Sequence, residues 1–257
     1  MVLFFYKNIY YNMNNDFIIP FILSLISGLS TLIGSIFIFI KTNRIGDIIT
    51  ISLSFSMGIM IILSIFDLIP SSFINIINYY GIIYGLIISF LSFLLGYLTI
   101  FIINFKENKS KNNLYRIGML SMISLIIHNI PEGIIVSMSS YHNIKIGINV
   151  CISIMLHNIP EGISIALPLY YSGESRGSVV KKVLLSGIIE PLGALLSYIF
   201  LKDYISPIII SYLLLFVSGL MISLSINDIY KEIKKYNNIK NMILGIILSI
   251  VLSIIII

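Results

Sequence analysis

Residues 117–140 read IGMLSMISLIIHNIPEGIIVSMSS, and residues 146–170 read IGINVCISIMLHNIPEGISIALPLY. Each run is apolar and long enough to cross a bilayer as a helix, which takes about 20 residues. Each also carries the same six residues at its centre, His-Asn-Ile-Pro-Glu-Gly, as His128 to Gly133 and as His157 to Gly162. In a helix, His and Glu four apart and Asn and Glu three apart share one face. His128 is the twelfth of 24 residues in its run and His157 the twelfth of 25 in the other. Both imidazoles are therefore expected near the bilayer midplane.

Six further apolar runs complete the chain, separated by clusters of Asn, Lys, Gly and Pro. They are Phe17 to Ile40, Ile48 to Ile69, Tyr79 to Ile103, Val183 to Leu201, Pro207 to Ile226 and Met242 to Ile257. With the two above they give eight spans. Of 257 residues 58% are hydrophobic and 11% charged, whereas soluble domains carry about 45–50% apolar and about 25% charged residues. Mean hydropathy is +1.03. These values exclude a soluble globular fold, and no polar stretch is long enough for a separate aqueous domain. The expected fold is all-α: a polytopic membrane protein of eight transmembrane helices, one domain over residues 1–257. Residues 1–16 are expected to be an unstructured extracytoplasmic N-terminus, with Met1 and Met13 both candidate starts. The single cysteine, Cys151, excludes an internal disulfide and a thiolate metal cage.

The net charge of +5 points to the bilayer rather than to nucleic acid, because the basic residues sort by loop. Cytoplasmic loops collect Lys and Arg. Four alternate loops hold thirteen of them: Lys41 and Arg44; Lys106, Lys109, Lys111 and Arg116; Arg176, Lys181 and Lys182; Lys231, Lys234, Lys235 and Lys240. The opposite side holds three, Lys7, Lys145 and Lys202. This sorting predicts both termini outside the cytoplasm of a multi-pass cell-membrane protein.

Carboxylates are costly in hydrocarbon and mark functional sites. Asp67, Glu132, Glu161 and Glu190 lie within or at the ends of spans, with Asp228 at the edge of span 7, and no Lys or Arg lies near the middle of any span. Salt-bridge pairing is therefore not expected, and a bound cation is the natural counter-charge. Pro131 and Pro160 each deny a donor to a carbonyl one turn back and open the helix there. Imidazole with carboxylate and amide oxygens suits zinc, iron, cobalt or manganese, whereas an oxygen-only set suits magnesium or calcium. Two such faces can hold two cations bridged by Glu132 and Glu161. Glu190, in Glu-Pro-Leu-Gly, repeats the pairing of a carboxylate with a helix breaker and is a candidate ligand. His142, in the short loop between spans 4 and 5, reads as solvated.

The chain also repeats itself. Gly58 to Leu68 in span 2 and Gly219 to Ile229 in span 7 agree at seven of eleven positions, and Ser27, Gly28 and Gly34 of span 1 align with Ser186, Gly187 and Gly193 of span 6. Since span 2 runs outward and span 7 inward, the repeat of spans 1–3 in spans 6–8 is inverted, around the symmetric pair of spans 4 and 5. Inverted repeats with midplane sites characterise secondary transporters. Asp67 and Asp228 then stand as symmetry mates at opposite mouths, or as interface anchors.

With these motifs the chain resembles the ZIP (Zrt-, Irt-like) family of divalent-metal transporters over essentially its whole length. The resemblance implies a binuclear centre in which His128, Glu132, His157 and Glu161 hold one ion. Asn129, Asn158 and Glu190, with the two bridging glutamates, hold the second. It implies zinc as transported substrate, with iron, manganese and cobalt also carried, and no prosthetic group. It implies alternating access, with spans 1, 4, 5 and 6 moving against spans 2, 3, 7 and 8, commonly in a homodimer. The histidine-rich cytoplasmic loop of many eukaryotic relatives is absent. A selective metal channel is the alternative. An intramembrane metalloenzyme is disfavoured, since the motifs offer HxxxE rather than HExxH and the chain has only three histidines.

Overall fold

Residues 17–40, 43–106, 113–201 and 207–256 are described by the computed structural model of the chain. The N-terminal stretch 1–16, the lysines at 41, 109, 111 and 202, and the side chain of His142 lie outside the described residues. In hydrocarbon every backbone amide must be bonded within its own segment, and the described residues form helices joined by short turns, with no strand among them.

The helices join into eight rods. α1 is Ile18–Ser35. α2, Ile45–Leu63, passes through a π turn at Ser64–Leu68 into α3, Ile69–Tyr80. α4 is Ile82–Lys106, α5 is Asn113–His142 and α6 is Ile144–Tyr171. α7, Arg176–Leu196, ends in a second π turn, Ser197–Leu201. α8, Pro207–Leu224, passes through a third, Ser225–Ile229, into α9, Tyr230–Lys235, and α10 is Ile239–Ile256. Among the described residues seven helices are long and apolar enough to cross a membrane. The eighth rod, α7, carries Arg176, Lys181, Lys182 and the buried Glu190.

Several rods outrun the apolar stretches. Span 2, expected to end at Ile69, continues to Tyr80, and span 7 continues past Ile226 to Lys235. α7 begins at Arg176 rather than Val183, because Ser175 caps it by accepting the Ser178 N–H at 3.3 Å. Helices extend into the polar interface wherever capping residues and charges support them, so hydropathy alone underestimates their length.

Burial is inverted relative to a soluble protein. Ile83 and Ile254 are 72% and 76% exposed, while serines such as Ser24, Ser54, Ser121 and Ser186 are fully buried. Many interior hydroxyls donate to their own helix one turn back, as Ser35 does to Leu32 O at 2.7 Å and Ser140 to Val136 O at 2.6 Å. That pattern satisfies the hydroxyl without a partner helix.

α1, α5, α6 and α7 pack together, and α2, α4, α8 and α10 pack against α5 and α6. The contacts come in matched sets. α1 packs on α6 as α7 packs on α5, and α2 packs on α10 as α8 packs on α4. Ser64 Oγ lies 3.6 Å from Met221 Sδ, and Ser225 Oγ lies 3.7 Å from Met60 Sδ. α1 and α7 cross at glycines: a Cβ on Gly28 would stand 2.3 Å from Gly187 O, and one on Gly187 would stand 2.4 Å from Gly28 O. Close small-residue crossings of this kind let backbones meet directly. Gly28→Leu therefore forces α1 and α7 apart and costs about 1–3 kcal/mol. The expected outcome is a lowered melting temperature of the detergent-purified protein; an unchanged value contradicts the crossing.

Candidate metal centre

α5 and α6 are antiparallel neighbours joined through Asn143, whose side chain caps α6 by accepting the Lys145 N–H at 2.9 Å and the Ile146 N–H at 3.4 Å. That tight reversal brings the two six-residue motifs level with each other. Both helices stay α-helical through Pro131 and Pro160. The motif glycines bring the flanking helices close. A Cβ on Gly133 would stand 1.8 Å from Glu190 O on α7, and one on Gly162 would stand 2.0 Å from Thr31 O on α1.

The hub of the site is one carboxylate oxygen. Glu132 Oε1 lies 2.8 Å from His128 Nε2 and 2.7 Å from His157 Nε2. Glu161 Oε1 approaches His128 Nε2 at 3.5 Å. His128, Glu132 and His157 each offer a donor atom, and all three lie within 4.8 Å of one another. His128 is 3% exposed, Glu132 5% and Glu161 1%. Glu132 Oε2 and both oxygens of Glu161 have no hydrogen-bond partner. Buried carboxylate oxygens are costly unless paired or coordinating. Two imidazoles converging on one carboxylate oxygen each need an N–H to hold it, and a divalent cation can replace those protons using the same atoms. Zinc binds His N and carboxylate O at about 2.0–2.2 Å, so its ligand atoms sit slightly farther apart than these hydrogen-bonding contacts.

A second group lies between α1, α6 and α7. Asn158 Nδ2 donates to Glu190 Oε2 at 2.9 Å and to Ser27 O at 3.0 Å, and Ser27 Oγ contacts Glu190 Oε1. Asn129 Nδ2 donates to Ser186 O at 2.8 Å. Both asparagine Oδ1 atoms lack partners. Of the residues expected to form a second position, Asn158 and Glu190 meet directly, while Asn129 is anchored to the α7 backbone.

A cavity of about 60 Å³ adjoins the histidines, lined by Asp67, His128, Glu132 and His157 among apolar side chains. Its walls include Ile135, after Glu132 in α5, and Val150, Ser153 and Ile154, before His157 in α6. Since α5 and α6 are antiparallel and joined at Asn143, all four lie on the same side of the cluster. On the other side Ile49, Leu53, Leu114, Ile117, Leu120, Leu224, Ile229 and Ile233 pack into a closed core.

Asp67 and Asp228 depart from each other in setting. Asp67 stands in a π turn at the cavity wall. Asp228, in the matching turn, is 1% exposed and 3.2 Å from Arg116 Nη1. The expectation that carboxylates in and beside the spans lack salt bridges is corrected for Asp228, because α5 starts at Asn113 and carries Arg116 into the bundle. The two π turns were not foreseen. Their signal was present in the repeated Ser-Ile-x-Asp of Ser64 to Asp67 and Ser225 to Asp228, and π turns recur at functional sites.

A polytopic helical membrane protein that gathers histidine and glutamate donors deep inside, beside a cavity, has the construction of a membrane metal transporter. Comparison with known proteins specifies the kind. Residues 105–252 match the family described as ZIP Zinc transporter. The chain is 35% identical over 240 residues to "Zinc transporter ZupT" of Chlorobium luteolum, covering 86% of this chain and 90% of that one. It is 31% identical over 244 residues to the protein of the same name from Chlorobium chlorochromatii, covering 87% and 91%. The ZupT of Clostridium perfringens is 30% identical over 258 residues, covering 88% and 90%. The chain belongs to the ZIP zinc transporter family and is a multi-pass membrane transporter, not an enzyme.

Ligands must be deprotonated to bind metal, so the affinity of the purified protein for Zn²⁺ is expected to fall as pH is lowered. Glu132→Ala is expected to weaken binding by more than about tenfold, since even loss of an outer-shell partner costs about 10–100-fold. Titration of Zn²⁺ against a chelating dye measures both; unchanged affinity in Glu132→Ala contradicts the assignment.

Proposed function

We propose that this protein is a secondary transporter carrying zinc, and with it iron, manganese and cobalt, into the cytoplasm through the His128, Glu132, His157 and Glu161 cluster by alternating access. The carrying observation is the convergence of two imidazoles and a carboxylate from α5 and α6 beside a cavity that lies on one side of the cluster. A channel needs a path on both sides. The packed core opposite the cavity favours alternation between two closures over a standing pore.

In this reading Glu132 and Glu161 bridge two ions, and Asn129, Asn158 and Glu190 complete the second position. The unpartnered asparagine oxygens and the proximity of Asn158 to Glu190 support that extension. The matched Ser–Met contacts and helix pairings support an inverted repeat relating spans 1–3 to spans 6–8. Alternation is then an exchange between two related packings, with α1, α5, α6 and α7 as the moving group. Asp67, at the cavity wall, raises the local concentration of cations on that side.

The protein lies in the cell membrane with both termini outside, the cavity on the outer side, and a second copy completing a homodimer. Asp47 accepts from Asn238 Nδ2 at 2.7 Å, Arg116 meets Asp228, and Glu232 meets Lys235. The first two pairs join rod ends that carry the basic loops, and the third lies within α9 at that same end, as expected of one cytoplasmic face. Zn²⁺ uptake into proteoliposomes tests the reading. Saturable uptake by the wild type and its loss in Glu161→Ala, at equal reconstitution, are expected. Non-saturable flux indicates a channel, and normal uptake by Glu161→Ala removes the site.

A further inference from the structure

Ser27 belongs to neither motif, yet it is the residue that closes the second group. It is fully buried on α1, held there by the glycine crossing one residue on, where a Cβ on Gly28 would stand 3.1 Å from Glu190 Cβ. Its hydroxyl has two acceptors within reach, Ser24 O at 3.1 Å and Glu190 Oε1, which is nearer. With one proton to give, it donates to the closer and charged acceptor. Its carbonyl meanwhile accepts from Asn158 Nδ2 at 3.0 Å, so Ser27 holds the amide that binds the other oxygen of Glu190. Both oxygens of a fully buried carboxylate are thereby occupied, one by Ser27 and one by Asn158.

The matching place in the other half lacks this arrangement. Ser186, which aligns with Ser27, turns its hydroxyl to its own helix at Val183 O, 2.8 Å away. The residue aligned with Glu190 is Thr31, whose hydroxyl also returns to its own helix, at Gly28 O, 2.8 Å away. Of the two aligned serines, therefore, only Ser27, which faces the helix that carries the carboxylate, turns its hydroxyl to a neighbouring helix.

We infer that Ser27 is a positioning residue of the second metal position: its hydroxyl competes with the cation for the Glu190 carboxylate and so sets how tightly that position holds its ion. The inference rests on the reading that Asn158 and Glu190 are ligands. A transported ion must leave as readily as it binds, and a hydroxyl ready to take back the carboxylate oxygen shortens the ion's stay. Removing it leaves Glu190 one donor short and strengthens its hold on metal. A residue that merely packed α1 against α7 would act in the opposite sense, loosening the site.

Initial rates of Zn²⁺ uptake across external concentrations, in proteoliposomes of matched protein content, test this. Ser27→Ala is expected to lower KM about tenfold, the scale of a hydrogen bond to a charged group, and to lower the maximal rate as well. The shift should vanish in the Glu190→Gln background, where there is no charge to compete for. Should Ser27→Ala fail to reach the membrane, Ser27→Cys, a weaker donor of similar shape, is expected to shift KM in the same direction by less. A KM that is unchanged or raised overturns the inference, as does an equal shift in the Glu190→Gln background. If Glu190→Gln alone transports like the wild type, the ligand reading of Glu190 fails first, and that outcome is separable from failure of Ser27.

Discussion

Buried negative charge without a built-in counter-charge is the constraint on which this structure turns. Glu132, Glu161 and Glu190 are nearly or fully buried, and no Lys or Arg comes from the middle of a span. Taking an ionised carboxylate out of water costs several kcal/mol even after relaxation (about that order) unless a partner compensates. Here the partners are two imidazoles for Glu132, a serine and an amide for Glu190, and for Glu161 only the edge of His128 at 3.5 Å. A divalent cation, as proposed above, would answer that imbalance, and imidazole donors suit zinc and its neighbours better than magnesium or calcium.

The rest of the fold serves to hold those donors in register. The short turn at Asn143 sets α5 against α6, and small residues let α1 and α7 approach their backbones from either side. Serines such as Ser35 and Ser140 satisfy their hydroxyls within their own helix, while Ser30 and Ser56 reach carbonyls of α6. At the end that carries the basic loops, polar ties between rods include Arg116 with Asp228 and Asp47 with Asn238. The π turns at Ser64–Leu68 and Ser225–Ile229 fall in rods that pack against α5 and α6, and carry Asp67 at the cavity wall and Asp228 beside Arg116.

Much of this was legible in the residues. The all-helical bilayer-spanning design follows from hydropathy, and the association of His128, Glu132 and His157 follows from a duplicated motif at equal depth in adjacent antiparallel spans. The assignment of the chain to its family followed from the same motifs, and the comparisons agree. Three features were hidden for physical reasons. Arg116 reads as a loop residue because hydropathy locates hydrocarbon rather than helix ends, so its pairing with Asp228 could not be seen. Ser27 is one of many serines that satisfy themselves within a helix, and only the crossing at Gly28 directs it to Glu190. The winding change near Asp67 coincides with the repeated Ser-Ile-x-Asp, but hydropathy does not distinguish a π turn from the α-helix on either side of it.

Anomalous X-ray scattering at the zinc absorption edge, from crystals of the protein grown with Zn²⁺, tests the central claim most directly. The account predicts a strong peak within bonding distance of His128 Nε2, His157 Nε2 and a Glu132 oxygen, with a second peak beside Asn158 and Glu190. Zinc found only at surface residues, with the His128 and His157 side chains still closed on Glu132, would contradict it.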